Sequence, residues 1–184
     1  KFVGDAILIF FGDPETNGVK EDANACVLMA LEMQDRMRFL RTIWKNEGIS
    51  IPLEIRIGIN TGYCNVGNFG SEDRLDYTII GGEVNLASRL ESNANVGQIL
   101  ISHETHELVK NLIKCEKKEE INVKGLVYKV QTYEVIDSYK DNENKQKIIK
   151  EEYSGFSLAV DLNNLKKEKV ISSLKRALEK IEKE

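Results

Sequence analysis

A chain of 184 residues, 41% apolar and 30% charged, has the size of one substantial domain with an appendage and the balance of a globular protein, not of a disordered or membrane-embedded one. Its formal net charge of -4 supplies no basic face for displacing counterions, so a nucleic-acid partner is disfavoured. No apolar run has the length needed to span a bilayer, and no direct membrane contact is expected of this segment.

The chain opens at Lys1 directly into Phe2-Val3-Gly4-Asp5-Ala6 and the apolar run Ile7 to Phe11, closed by Gly12-Asp13-Pro14. A hairpin and a buried strand are expected there, with an abrupt start that reads as an interior cut. From Glu21 to Lys45, residues Cys26, Met29, Ala30, Met33, Met37, Leu40 and Trp44 recur at helical spacing, and Gly48 ends the helix. Leu53 to Ile59 alternates as a half-buried strand would, ending at Asn60-Thr61-Gly62.

Tyr63 to Phe69 and Tyr77 to Ile80 flank a polar tip at 70–74 and predict a projecting hairpin. Glu83 to Glu91 is read as a helix, Gln98 to Ile101 as a brief strand, and His103 to Ile113 as a second helix with Ser102 as its N-cap. Strands around Glu116 to Asn122 and Tyr128 to Val135, separated by a turn at Lys124-Gly125, close the domain. Helices and strands mixed in this order predict an α+β sandwich, helices packed on a mainly antiparallel sheet.

That domain is assigned to residues 1–137, a charged solvated linker to 138–152 and a helical extension to 153–184. In the extension Ile171, Leu174, Leu178 and Ile181 form one apolar stripe that must dock on the domain or on a partner. Cys26, Cys64 and Cys115 are odd in number, widely spaced and in no C-x-x-C pattern, which fits the reducing cytosol.

Asp5, in a tight turn, presents a carboxylate able to bind a hard cation, but taken alone a Gly-Asp turn reads first as an aspartate bonded to its own backbone. Asn85 and Arg89 lie four apart and share a helical face, while Leu86 and Leu90 turn to another. An outward amide and guanidinium can orient a sugar and neutralise a phosphate; an ordinary exposed Arg beside an Asn has the same spacing. His103 and His106, three apart and outside any H-E-x-x-H pattern, are read as a helix surface in preference to a metal site.

Taken together, KFVGDAI, LEIRIGINTG, GNFGSEDRLDYTIIGGEVNLASRLES and INVKG stand in the order and approximate spacing of class III adenylyl cyclase catalytic domains, and residues 1–136 resemble that family. The resemblance implies a ferredoxin-like α+β domain working as a head-to-tail homodimer, with ATP held between protomers and two Mg2+ or Mn2+ ions per site. On this reading Asp5 is the second of two metal-binding aspartates, and Arg56 approaches the terminal phosphates from the same protomer. Lys1, Thr78, Asn85, Arg89 and Lys124 come from the opposite one. Lys1 and Thr78 read the purine, Asn85 orients the ribose, Arg89 meets the transition state and Lys124 binds phosphate.

Many family members carry aspartate where this chain has Thr78. Lysine with threonine resembles the subgroup that includes bicarbonate-responsive adenylyl cyclases, and the Thr hydroxyl can still accept a hydrogen bond from an adenine amino group. The resemblance also implies a strand before Lys1 carrying the first metal aspartate, with an upstream sensor domain as a further partner. A chain beginning at Lys1 is expected to be inactive. The alternatives are a pseudocyclase that binds nucleotide or a partner protein without turnover, and a guanylyl cyclase.

Overall fold

The computed structural model describes residues 1–49, 53–71, 74–122, 129–139, 148–153, 155–161 and 165–182. The chain begins with two short antiparallel strands, β1 (Phe2–Val3) and β2 (Ala6–Ile7), joined through Gly4 at φ +64°. The expected strand to Phe11 stops at Ile7, and Phe2, Val3, Ile7, Ile9 and Phe11 are exposed, not buried. The run lacks a ladder partner beyond that hairpin among the described residues, so apolar character alone does not make it a sheet strand.

Helix α1 (Val19–Asn46) buries Ala23, Val27, Ala30 and Gln34, spaced by four, three and four residues as one face of a helix requires. Gln34 is satisfied by donating its Nε2 to the Ile55 carbonyl at 3.0 Å. Strand β3 (Ile57–Ile59) is shorter than the alternation from Leu53 suggests. The Ile55 carbonyl also accepts from the Gly97 amide at 3.0 Å, so this stretch is anchored by a side chain and a loop and not by a strand ladder.

Strands β4 (Asn65–Ser71) and β5 (Arg74–Ile80) form the expected hairpin, in register from Asn65 opposite Ile80 to Ser71 opposite Arg74. Gly81, at φ +155°, turns β5 into α2 (Gly82–Asn93). Strand β6 (Ile99–Ser102), helix α3 (His103–Val109) and strands β7 (Ile113–Lys117) and β8 (Thr132–Ser138) complete the region. Ser102 caps α3, its hydroxyl accepting from the Thr105 amide. Helix α3 is shorter than expected and β7 begins at Ile113, where the segment leaves the helix to pair with β8. The closing strands are thereby shifted from the expected ranges, with Ile121 and Val130 forming a separate bridge.

The sheet order is β3-β6-β8-β7, parallel between β3 and β6 and antiparallel elsewhere. Strand β6 is buried along its whole length because its two faces serve two cores. Ile99 and Ile101 join Val27, Ala30, Val109 and Val135, whereas Leu100 joins Leu86, Leu90 and Ala94. Helices α1 and α3 therefore cover one face and α2 the other, which explains a continuous apolar run where a half-exposed strand would alternate. The architecture is mixed α+β with a mainly antiparallel sheet.

The contact of α2 on β3 is made by backbone. A Cβ added at Gly58 would overlap the Glu91 amide nitrogen and the Ala87 carbonyl oxygen and lie 2.8 Å from Glu91 Cα. Backbone cannot swing aside as a side chain does. Gly58→Ala is therefore expected to cost about 1–3 kcal/mol, read as a lowered denaturation midpoint at unchanged m-value; an unaltered midpoint would mean that α2 does not sit on β3 this closely.

The chain divides into two units, Lys1–Ser138 and Tyr139–Glu184. In the second, β9 (Ile148–Tyr153) pairs antiparallel with β10 (Phe156–Asp161) around Gly155 at φ +82°. Residues 140–147 of the expected linker at 138–152 lie outside the described residues, whereas 148–152, read as part of that linker, are strand, and the helical extension expected at 153–184 begins with a strand as well. Ile148, Ile149 and Tyr153 favour strand despite the surrounding charge, and in β10 Phe156, Leu158 and Val160 alternate with exposed Ser157. Helix α4 (Lys167–Ile181) carries the expected stripe, and Ile171, Leu174, Leu178 and Ile181 are all exposed.

Candidate active site

Helix α2 presents Asn85 and Arg89 together on its exposed face while Leu86 and Leu90 are buried beneath it. Among the described residues no carboxylate pairs with the Arg89 guanidinium. The first turn of α2 is fastened to the loop after β3: Asn60 Nδ2 donates to the Glu83 carbonyl at 3.1 Å and to Glu83 Oε2 at 2.7 Å. Asn85 thus stands on a helix fixed at its N-terminus by Asn60 and along its side by Gly58. Rigid mounting of this kind lets a side chain orient a ligand without loss of freedom on binding.

Thr78 is buried in β5, opposite Gly67 of β4. Lys1 reaches the same strand, its Nζ bonded to Asp76 Oδ2 at 3.0 Å. Side chains two apart on a strand share a face, so Asp76 brings the Lys1 ammonium to the face that carries Thr78. The hydrogen bond from Lys1, and then its charge, hold the exposed Asp76 carboxyl below its usual range. This ion pair is complete above the ordinary aspartate range and is lost as pH falls through the depressed pKa. The N-terminal segment is further tied to β5 by the Tyr77 hydroxyl, which donates to Asp13, and by the Phe10 and Tyr77 rings at 6.4 Å.

Arg56 lies before β3 and gives its Nε to Glu91 Oε1 of α2 at 2.6 Å, and among the described residues no carboxylate pairs with its terminal nitrogens. Asp5 occupies the exposed turn between β1 and β2. A single carboxylate on a rigid turn fits Mg2+ or Mn2+, which take one or two carboxylates and complete their shells with substrate phosphates and water. Lys124 lies outside the described residues. The structure therefore groups Asn85 with Arg89 and Lys1 with Thr78, links Arg56 to the helix of the first pair, and leaves Asp5 apart in its own turn.

Three supporting residues escaped the sequence reading. Asp76 and Glu91 act by pairing with side chains 75 and 35 residues away, which spacing does not reveal. Gly58 did carry a signal, since glycine inside an apolar strand marks close backbone approach.

A separate cluster lies on α3. His103, His106 and Glu107 place one ligand atom each within 4.8 Å of one another. The His106 ring stacks on Tyr133 at 3.8 Å and an interplanar angle of 4°. Its burial pushes the imidazole pKa down, opposed in part by Glu107.

Residues 1–137 match the family described as the adenylate and guanylate cyclase catalytic domain. The chain belongs to this family. The cyclase domain aligns with the crystal structure of the adenylyl cyclase CyaB from P. aeruginosa at 59% identity and a TM-score of 0.74, covering 77% of this chain and 72% of that one. It also aligns with the guanylyl cyclase Cya2 at 37% identity and a TM-score of 0.69, covering 75% and 68%. In sequence the chain is 32% identical over 166 residues to the terminal-differentiation specific adenylate cyclase of Dictyostelium discoideum, covering 86% of this chain and 8% of that relative's length. The mixed α+β architecture is thus that of class III cyclase domains. No described helix is long and apolar enough to cross a membrane.

Proposed function

We propose that this cyclase domain converts ATP to 3',5'-cyclic AMP and pyrophosphate in an intracellular signalling role. The observation that carries the choice of ATP is the seating of the Lys1 ammonium, through Asp76, on the face of β5 that bears Thr78. Lys1 donates to an adenine ring nitrogen, and the Thr78 hydroxyl accepts from the exocyclic amino group. Guanine presents a carbonyl oxygen and a protonated nitrogen at the corresponding edge, so an ammonium beside the ring nitrogen disfavours it.

In the reaction the ribose 3'-oxygen bonds to the α-phosphorus as the bond to the bridging pyrophosphate oxygen breaks, and the hydroxyl proton is lost. Asn85 orients the ribose so that attack is in line, and Arg89 supplies fixed positive charge where negative charge spreads over the phosphoryl oxygens. Arg56 and Lys124 hold the terminal phosphates. Asp5 would supply one carboxylate to a two-ion Mg2+ or Mn2+ site, whose ions when bound would favour the ionised nucleophile and the leaving group.

The active form is a homodimer with composite sites, one protomer giving Asp5 and Arg56 and its partner the remaining groups. Support comes from the apolar surface left exposed on β1, β2 and β5, where Phe2, Val3, Ile7, Leu75 and Tyr77 stand in solvent. Three free cysteines suit the reducing cytosol. Comparison of ATP and GTP turnover in the full-length protein tests the reading. ATP is expected to be preferred at least ~10-fold in kcat/KM, with Lys1→Ala eroding that ratio; equal or better use of GTP makes it a guanylyl cyclase, and no turnover with tight ATP binding makes it a binding module.

A further inference from the structure

We propose that His103, His106 and Glu107 form a binding site for a zinc-type transition-metal dication on the outer face of α3. The three residues stand at positions i, i+3 and i+4 and so share one helical face. Two imidazoles and one carboxylate are a recurrent zinc donor set, with a fourth position left for water, whereas Mg2+ and Ca2+ take oxygen donors.

Metal–ligand bonds of about 2.0–2.1 Å in a tetrahedral shell place ligand atoms roughly 3.4 Å apart. The present spread, within 4.8 Å, closes by modest rotation of His103 and Glu107, both exposed. His106 needs to move least, because Tyr133 of β8 already holds its ring flat against its own. The same tyrosine places its hydroxyl 3.4 Å from His103 Nδ1, an outer-shell contact of the kind that orients ligating histidines.

A second observation points to a missing ligand. His106 Nδ1 is buried and makes no hydrogen bond among the described residues, although Glu107 Oε1 stands 3.4 Å away. Buried polar nitrogen is ordinarily paired. Glu107 is held from its other side, where Oε2 accepts from Lys110 Nζ at 2.5 Å, so Oε1 is the oxygen offered to a shared ion. On the inner side of the same helix the Thr105 hydroxyl lies 3.0 Å from that of Thr61. A cation here would therefore stiffen the helix that abuts the loop fastening α2.

This chain of 184 residues contains two histidines, and both belong to this site, so the imidazole spectrum of the 15N-histidine-labelled 184-residue chain reads the site alone. One equivalent of Zn2+ is added with Mg2+ in large excess to occupy carboxylate sites. Both imidazoles are expected to shift to metal-bound positions at 1:1 stoichiometry, reversibly with chelator. Glu107→Gln, an exposed substitution that leaves the fold intact by circular dichroism, is expected to weaken Zn2+ binding at least ~10-fold. Either imidazole remaining unshifted at one equivalent, or unchanged affinity in Glu107→Gln, overturns the site.

Discussion

Replacing Arg89 by alanine is expected to lower kcat at least ~100-fold while moving KM no more than ~3-fold. Arg89 projects from the exposed face of α2, and the core contacts of that helix are made by Leu86 and Leu90, with Ala94 just beyond its end. Truncation therefore removes a charge without opening a cavity. A guanidinium that meets charge developing on the α-phosphate interacts more strongly with the transition state than with bound ATP, and only that difference appears in kcat. A 100-fold loss corresponds to about 2.7 kcal/mol, within reach of one displaced charge in a site closed to water. Arg89→Lys should recover part of the loss, since it keeps the charge and gives up the planar fork. Steady-state kinetics with Mn2+, beside unfolding curves for each variant, provides the measurement. A rise in KM at constant kcat would make Arg89 a ground-state contact, and a parallel loss of stability would make it structural.

The parts of this site legible in the sequence are those set by local periodicity. Asn85 and Arg89 could be placed outward because Leu86 and Leu90 fix the buried side of α2, and Ser102 could be read as a cap because its role depends on residues three positions away. The β4–β5 hairpin was legible for the same reason. What escaped depends on contacts distant in sequence. The run from Ile7 to Phe11 has strand-like composition, but strands need partners: Leu8 pairs with Lys1 at the end of the hairpin, and residues 9–11 join no strand ladder among the described residues. Charge masked β9, whose pairing with β10 overrides a polar composition. In sequence the histidine cluster reads as a helix surface, because the tyrosine that stacks on it comes from β8, 27 residues beyond His106. Asp76 carries no signal of its own two residues before Thr78, because only the fold brings Lys1 to it.

Mixing two inactive variants, Asp5→Asn and Arg89→Ala, is expected to restore activity if the sites are shared between protomers. Asp5 stands in the β1–β2 turn and Arg89 on α2, and no ion pair joins them within the chain among the described residues. A symmetric pair of chains would face the turn of one protomer toward the helix of the other, twice. In the mixed dimer both lesions then fall in one cleft, because the Asp5→Asn turn meets the Arg89→Ala helix there. The other cleft joins an intact turn to an intact helix. Random exchange of equal amounts makes about half of all dimers mixed, each with one working site of two, so activity should approach roughly a quarter of the unmodified protein's. The recovery must follow subunit exchange in time and fail when exchange is blocked by cross-linking each variant beforehand. Full exchange without recovery would show that Asp5 and Arg89 act within one chain, and the cleft would then have to be sought inside the protomer.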